Sequence, residues 1–249
     1  MHNVVKIAAL ASLAVATLAP VAARADDGLS FNVGAVSDYR YRGISQTRLK
    51  PALQGGVDYA KGPFYLGAWG STIKWIKDNG VDGPVELDLY GGYKGEITKD
   101  LAFDVGVLRY EYVGNKLADT GIYANANTTE VYGALTFGPV TGKLSYSLSD
   151  TFGNKDSDGS YYFDLSATFD VAGFSLVPHV GYQKITNTAN ASYTDYSLTV
   201  SKEVVKGVTV SLAAVGTNAD KAFYVPGAAA NSSKFLGKSA AVLGVKYAF

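Results

Sequence analysis

The chain of 249 residues carries 22 basic and 22 acidic side chains, so its formal charge is zero, and it contains no cysteine. The balanced charge excludes the strongly basic surface of a nucleic-acid binder, and the missing thiols exclude a disulfide framework and thiolate chemistry. Glycine (28) and tyrosine (18) are abundant, a bias that suits tight turns and interfacial rings in an all-β body.

Residues 1–25 read as an export signal. After Lys6 an apolar run covers 7–22, and Ala23-Arg24-Ala25 supplies a small-x-small cleavage pattern before Asp26. The run is shorter than the roughly 20 residues a spanning helix needs. The expected exported domain is 26–249, and no later apolar run is long enough for a membrane helix.

From Leu29 onward the side chains alternate with period two. In 29–43, Leu29, Phe31, Val33, Ala35, Tyr39 and Tyr41 share one face, and Ser30, Asn32, Asp38, Arg40 and Arg42 share the other. Val85, Leu87 and Leu89 alternate with Glu86, Asp88 and Tyr90. Tyr161, Phe163, Leu165, Phe169 and Val171 alternate with Tyr162, Asp164, Ser166, Thr168 and Asp170. Continued along the chain, the pattern predicts about twelve strands, near 29–43, 51–60, 64–75, 85–96, 101–113, 128–138, 142–152, 160–172, 174–187, 193–203, 208–218 and 238–249.

Short connections at 60–63, 97–100, 138–141, 171–173 and 204–207 alternate with longer ones at 43–50, 76–84, 114–127, 153–159, 187–192 and 218–237. That is the layout of an up-and-down barrel with tight periplasmic turns and long external loops. Alternation alone fits a soluble sandwich equally well. Three features favour a transmembrane antiparallel barrel. The strands approach the length needed to cross a bilayer at a tilt. Aromatics gather near strand ends on the apolar face: Tyr39, Tyr41, Tyr59, Trp75, Tyr93, Phe137, Tyr161, Phe169, Phe174, Tyr182 and Tyr196. The last segment alternates through Leu243, Val245, Tyr247 and Phe249, and resembles the signal read by the barrel-assembly machinery.

Two positions break the pattern. Pro178 falls inside the ninth strand, where a bulge is the expected remedy for its missing donor. After Val107 the apolar face passes to Tyr110 and Tyr112, which a bulge near Leu108 would correct.

The segment Ser37-Asp38-Tyr39-Arg40-Tyr41-Arg42-Gly43-Ile44-Ser45-Gln46-Thr47 resembles the signature of a Gram-negative family, the Gcw_chp or TorF-family porin-like proteins. Three further blocks fit: Pro51-Ala52-Leu53-Gln54-Gly55-Gly56-Val57-Asp58-Tyr59, Phe64-Tyr65-Leu66-Gly67-Ala68-Trp69-Gly70-Ser71 and Glu86-Leu87-Asp88-Leu89-Tyr90-Gly91-Gly92-Tyr93. The likeness is most specific over 37–93; the remainder agrees in layout. It implies an outer-membrane barrel of porin type and brings no catalytic or binding residue, so none is carried over.

Little else points to catalysis. His2 lies in the expected leader, which leaves His179 with no nucleophilic serine beside it; it reads as a polar residue facing the lumen. No His/Cys cluster has zinc spacing and no glycine loop suits a phosphate, so no cofactor is expected. Asn154-x-Asp156-x-Asp158-Gly159 opens like a calcium loop, but Leu165 stands where the terminal Glu belongs, and an ordinary polar loop is the better reading.

The charges expected in the lumen are Asp38, Arg40 and Arg42 on the first strand, with Asp58, Glu86, Asp88, Asp104, Glu130, Lys143, Asp164 and Asp170 on later ones. They either pair into a network that plugs the barrel or line a water-filled pore. Roughly 8 strands leave room only for side chains and 16–18 leave an open channel, so twelve predict a narrow bore. The favoured expectation is passive diffusion of small hydrophilic solutes. The alternative is a plugged barrel acting through its external loops as an envelope-structural protein, adhesin or receptor. The expected partners are outer-membrane lipid and the assembly machinery that reads Tyr247 and Phe249. The apolar outer face can meet lipid or another barrel, so the oligomeric state stays open.

Overall fold

The period-two pattern closes into a barrel. The structure, a computed structural model, describes residues 27–225 and 234–249. The expected signal peptide lies outside the described residues, as does the middle of the last long connection. The barrel strands are β1 (Gly28–Val36), β2 (Ala52–Lys61), β3 (Phe64–Thr72), β4 (Val85–Thr98), β5 (Leu101–Val113) and β6 (Thr128–Phe137). They continue with β7 (Val140–Ser147), β8 (Tyr161–Ala167, resumed over Phe169–Val171), β9 (Phe174–Lys184), β10 (Tyr193–Val205), β11 (Val208–Thr217) and β12 (Ala240–Ala248). Each strand pairs antiparallel with the next, and β12 pairs with β1. No α-helix occurs among the described residues.

The faces sort by solvent. Leu29, Phe31 and Val33 on β1, Leu89 and Tyr93 on β4, and Leu243 and Val245 on β12 point outward and are exposed. An apolar exterior of this kind is stable against lipid and not against water. The opposite faces carry Asp58, Glu86, Asp88, Asp104, Glu130, Lys143 and Asp164 inward, and all are covered or half-covered. Asp170 shares the inward face but stands exposed beside the β8–β9 turn, where its Oδ1 accepts the Gly173 N–H at 3.2 Å.

Four expectations need correction. The first strand ends at Val36, not at residue 43. The Ser37 N–H donates to the Leu243 carbonyl at 2.8 Å, and the Ser37 hydroxyl accepts the Leu243 N–H at 2.9 Å. There the chain turns into the lumen, so Asp38, Arg40 and Arg42 do not sit on a barrel strand. Tyr39, Tyr41 and Trp75 accordingly leave the aromatic belt and pack inside. Pro178 causes no bulge: β9 keeps one register along β10. Instead the ladder to the neighbouring strand β8 is interrupted beside Pro178: it stops at Ser166–His179, β8 breaks at Thr168, and pairing resumes at Phe169–Leu176. No bulge occurs at Leu108 either, because β4 and β5 stay in register from Val85–Val113 to Glu96–Ala102. Tyr110 and Tyr112 therefore face inward, and Arg109 and Glu111 face outward, where they pair with each other at 3.1 Å. Their place at the external end of β5 explains how charges are tolerated on that face.

The seam is closed by the last residues. The Phe31 N–H donates to the Phe249 carbonyl at 2.8 Å, and the Phe249 N–H donates back to Phe31 at 3.0 Å. Phe249 stacks on Phe31 and on Tyr247, with centroids 5.8 and 5.1 Å apart. Tyr247 and Phe249 both point to the lipid side. Phe249→Ala removes both ring contacts at the seam and leaves the lumen untouched. It is expected to lower the yield of folded barrel in membranes, read as loss of the heat-modifiable band on gels.

Candidate functional site

The site is a hairpin folded into the external half of the lumen. Arg40–Tyr41 pairs with Ile44–Ser45 across a two-residue turn. Arg42 and Gly43 occupy that turn with φ of 46° and 77°, the double positive φ of a type I′ hairpin. The tip is pressed against β10 and β11. A Cβ on Gly43 would lie 2.7 Å from the Asp195 Cβ and would also overlap the Thr217 methyl. Only glycine satisfies both the backbone and the space.

Each hairpin side chain has a fixed station. Arg40 is fully covered. Its Nε meets Asp38 Oδ2 at 2.6 Å, and its Nη1 donates to the carbonyls of Gly43 (2.9 Å), Leu236 (3.3 Å) and Lys238 (2.8 Å). Asp38 also accepts the Ser45 hydroxyl at 2.5 Å. The Tyr39 hydroxyl donates to Glu86 Oε1 at 2.6 Å, and its ring meets Trp69 edge to face. Tyr39, Ile73, Ile76, Leu108, Tyr110 and Tyr112 form an apolar cluster inside the barrel. A second cluster joins Ile44 to Tyr193, Ala219 and Leu236, so the last long connection caps the hairpin. The Tyr224 hydroxyl in that connection donates to the Ala191 carbonyl at 2.6 Å; burial pushes it above its ordinary range, so it stays a donor.

Arg42 crosses the lumen. Its Nη2 meets Glu130 Oε2 on β6 at 2.7 Å, and its Nη1 donates to Gln183 Oε1 on β9 at 2.6 Å. The guanidinium carbon lies 4.3 Å from the Tyr162 centroid, 4.8 Å from Tyr41 and 5.8 Å from Phe152. Glu130 also accepts the Tyr110 hydroxyl at 3.1 Å. Next to this lies a polar group on β8–β10: His179 Nε2 is 2.8 Å from Asp164, and the Tyr162 hydroxyl donates to Asp195 at 3.0 Å.

Below the hairpin the lumen is lined differently. Tyr65, Tyr90 and Tyr132 are half-exposed, and each faces a glycine as its register partner: Gly92, Gly67 and Gly106. A Cβ on Gly67 would sit 2.6 Å from the Tyr90 ring, and one on Gly106 2.5 Å from the Tyr132 hydroxyl. The rings thus lie flat on the wall. Asp104 accepts the Tyr65 hydroxyl at 2.6 Å, and Asp58 accepts that of Tyr90. Lys143 Nζ stands 4.0 Å from the Tyr132 centroid.

The expected site residues therefore divide. Arg42, Glu86 and Glu130 meet at the hairpin, with Asp88 beside them. Asp58, Asp104 and Lys143 line the lower lumen, Asp164 joins His179, and Asp170 stays at the mouth. Gln183, Asp195, Tyr162 and Phe152 were not foreseen. The inward parity of Tyr193 and Asp195 against Tyr196 and Leu198 could have revealed Asp195. In the segment that opens like a calcium loop, Asn154 donates to the Thr151 carbonyl, Ser157 Oγ accepts the Thr151 N–H, and Asp156 is exposed.

A closed twelve-stranded barrel with an apolar belt, a charged lumen and an inward hairpin is a transmembrane β-barrel of porin fold. The chain belongs to the Gcw_chp family, described as bacterial protein of unknown function, whose model matches residues 22–249. The match extends well beyond the segment 37–93. Among solved structures, the fold is similar to the KdgM porin (TM-score 0.55, 9% identity, 88% of this chain against 99% of that one). It is also similar to a KdgM porin in complex with disordered oligogalacturonate (0.53, 8%, 89% against 98%) and to the NanC porin (0.53, 11%, 88% against 99%). No curated protein matches the sequence.

Gly43→Ala forces a side chain into a left-handed turn and against Asp195 and Thr217. It is expected to destabilise the hairpin by about 1–3 kcal/mol, measured as faster hydrogen exchange over 38–47 with the barrel strands unchanged.

Proposed function

We propose that the protein is an outer-membrane channel for passive diffusion of small hydrophilic solutes, narrowed by the hairpin of residues 38–47. One observation carries this reading: below the hairpin, half-exposed tyrosines, Asp58, Lys94, Lys143 and Lys246 line the inward face, with rings laid flat against glycines rather than across the bore. In this reading Asp58, Asp104 and Lys143 line the pore, the residues around Arg42 form its constriction, and no covalent chemistry is assigned. The KdgM porin was solved with oligogalacturonate, a carboxylate-bearing sugar. The acidic side chains around this constriction argue against that solute class here. In the same reading Tyr247 and Phe249 serve the assembly machinery from the lipid face.

The second reading, a non-conducting envelope protein acting through its loops, draws on the complete burial of Arg40 and near-complete burial of Tyr39 and Thr47. Planar bilayers separate the two. The channel reading expects small discrete conductance steps from wild type. Arg42→Ala, which frees the hairpin tip, is expected to raise the unitary step severalfold. Silence from both folded proteins would overturn it in favour of the second reading.

A further inference from the structure

The surroundings of Arg42 have the chemistry of a receptor. A carboxylate and an amide oxygen take two of its nitrogens, and three aromatic rings flank the guanidinium. This combination recognises organic cations in general. The charge around it is unbalanced. Glu86, Asp88, Glu130, Asp164 and Asp195 are each at most 6% exposed, on four strands around the external half of the lumen. Arg42, Lys143 and His179 are the basic groups beside them. Asp88 Oδ1 is buried and has no hydrogen-bond partner. Lower down, Asp58 and Asp104 are matched by Lys94, Lys143 and Lys246 on the same inward face, and Asp104 Oδ2 is buried without a hydrogen-bond partner.

The group that fills the receptor is held by its side-chain contacts and not by the hairpin's own backbone ladder. Each arm of the hairpin is two residues long, too short to hold its shape without help from its surroundings. Loss of Arg42 from its station leaves buried carboxylates uncompensated, which a second cation would relieve.

We propose that this station is a binding site for guanidinium- or ammonium-bearing solutes, and that Arg42 is its built-in occupant, displaced in competition with them. The proposal rests on the channel reading for its role in passage, but the site itself is testable without conduction. Methylguanidinium chloride is the probe, with sodium chloride at equal ionic strength as the control. Folded Arg42→Ala protein in detergent should bind methylguanidinium saturably by calorimetry, and Arg42→Ala/Glu130→Gln should lose that binding. In wild type, the probe should accelerate hydrogen exchange over 38–47 severalfold, whereas sodium should not. Because that arm uses unmodified protein, it stands even where a variant folds poorly.

No saturable binding by Arg42→Ala would overturn the site. Binding by the variant with no exchange response in wild type would make Arg42 a strut rather than a competitor, and would overturn the displacement. Conductance reports separately. Wild-type steps that grow with methylguanidinium support the whole proposal. Silent bilayers, together with binding and displacement, would overturn the channel reading and leave a receptor for cations.

Discussion

Hydrocarbon offers backbone amides no partner, and the fold is a response to that fact. Every N–H and C=O at membrane depth must be paired within the protein, which for strands means a closed cylinder. The β1–β12 ladder and the reciprocal Phe31–Phe249 bonds close it. Closure then dictates the rest. Apolar side chains turn outward because lipid accepts them, and polar ones are left in a confined interior where each needs a partner. Even the flaw is instructive. Pro178 has no edge to occupy, and its cost is taken as a short gap in β8 at Thr168 while the register holds on both sides.

The hairpin solves the problem that closure creates. Carboxylates on β4 and β6 are too far from bulk water to be solvated well, and the hairpin brings them a tyrosine hydroxyl and a guanidinium. Breaking a buried pair such as Arg42–Glu130 costs about 3–5 kcal/mol, most of it from the charge left behind. Cation–π contacts with Tyr162 and Tyr41 add to the hold. The segment is therefore anchored at its tip and root, by Arg42 on the far wall and by Arg40 on the carbonyls of the last connection.

The barrel was legible in the sequence because a strand with two unlike solvents on its faces must alternate, and ten of the twelve expected strands fall close to their observed limits; the seventh ends at Ser147 rather than 152, and the first is the true exception, ending at Val36. The exception shows the limit of that logic. Residues 37–43 also alternate, since Tyr39 and Tyr41 meet an apolar cluster while Asp38 and Arg40 meet each other and backbone carbonyls. Period two reports two environments without naming them. The Arg42-Gly43 turn lacks the Asn or Asp that usually marks such a hairpin. The inward positions of Asp58, Glu86, Asp88, Asp104, Glu130, Lys143 and Asp164 followed from parity. The partners of Arg42 on β6, β8 and β9 depend on how the cylinder closes, which no local pattern encodes.

The glycines opposite Tyr65, Tyr90 and Tyr132 have a consequence for how such a lumen can evolve. Clearance there is set by what is missing from the facing strand. A single methyl at Gly67, whose nearest neighbours are all atoms of the Tyr90 side chain, would lift that ring off the wall and toward the axis, while the lipid-facing surface and the strand register stayed the same. The calibre of the conduit can thus drift, one small residue at a time, independently of the shell that keeps it in the membrane.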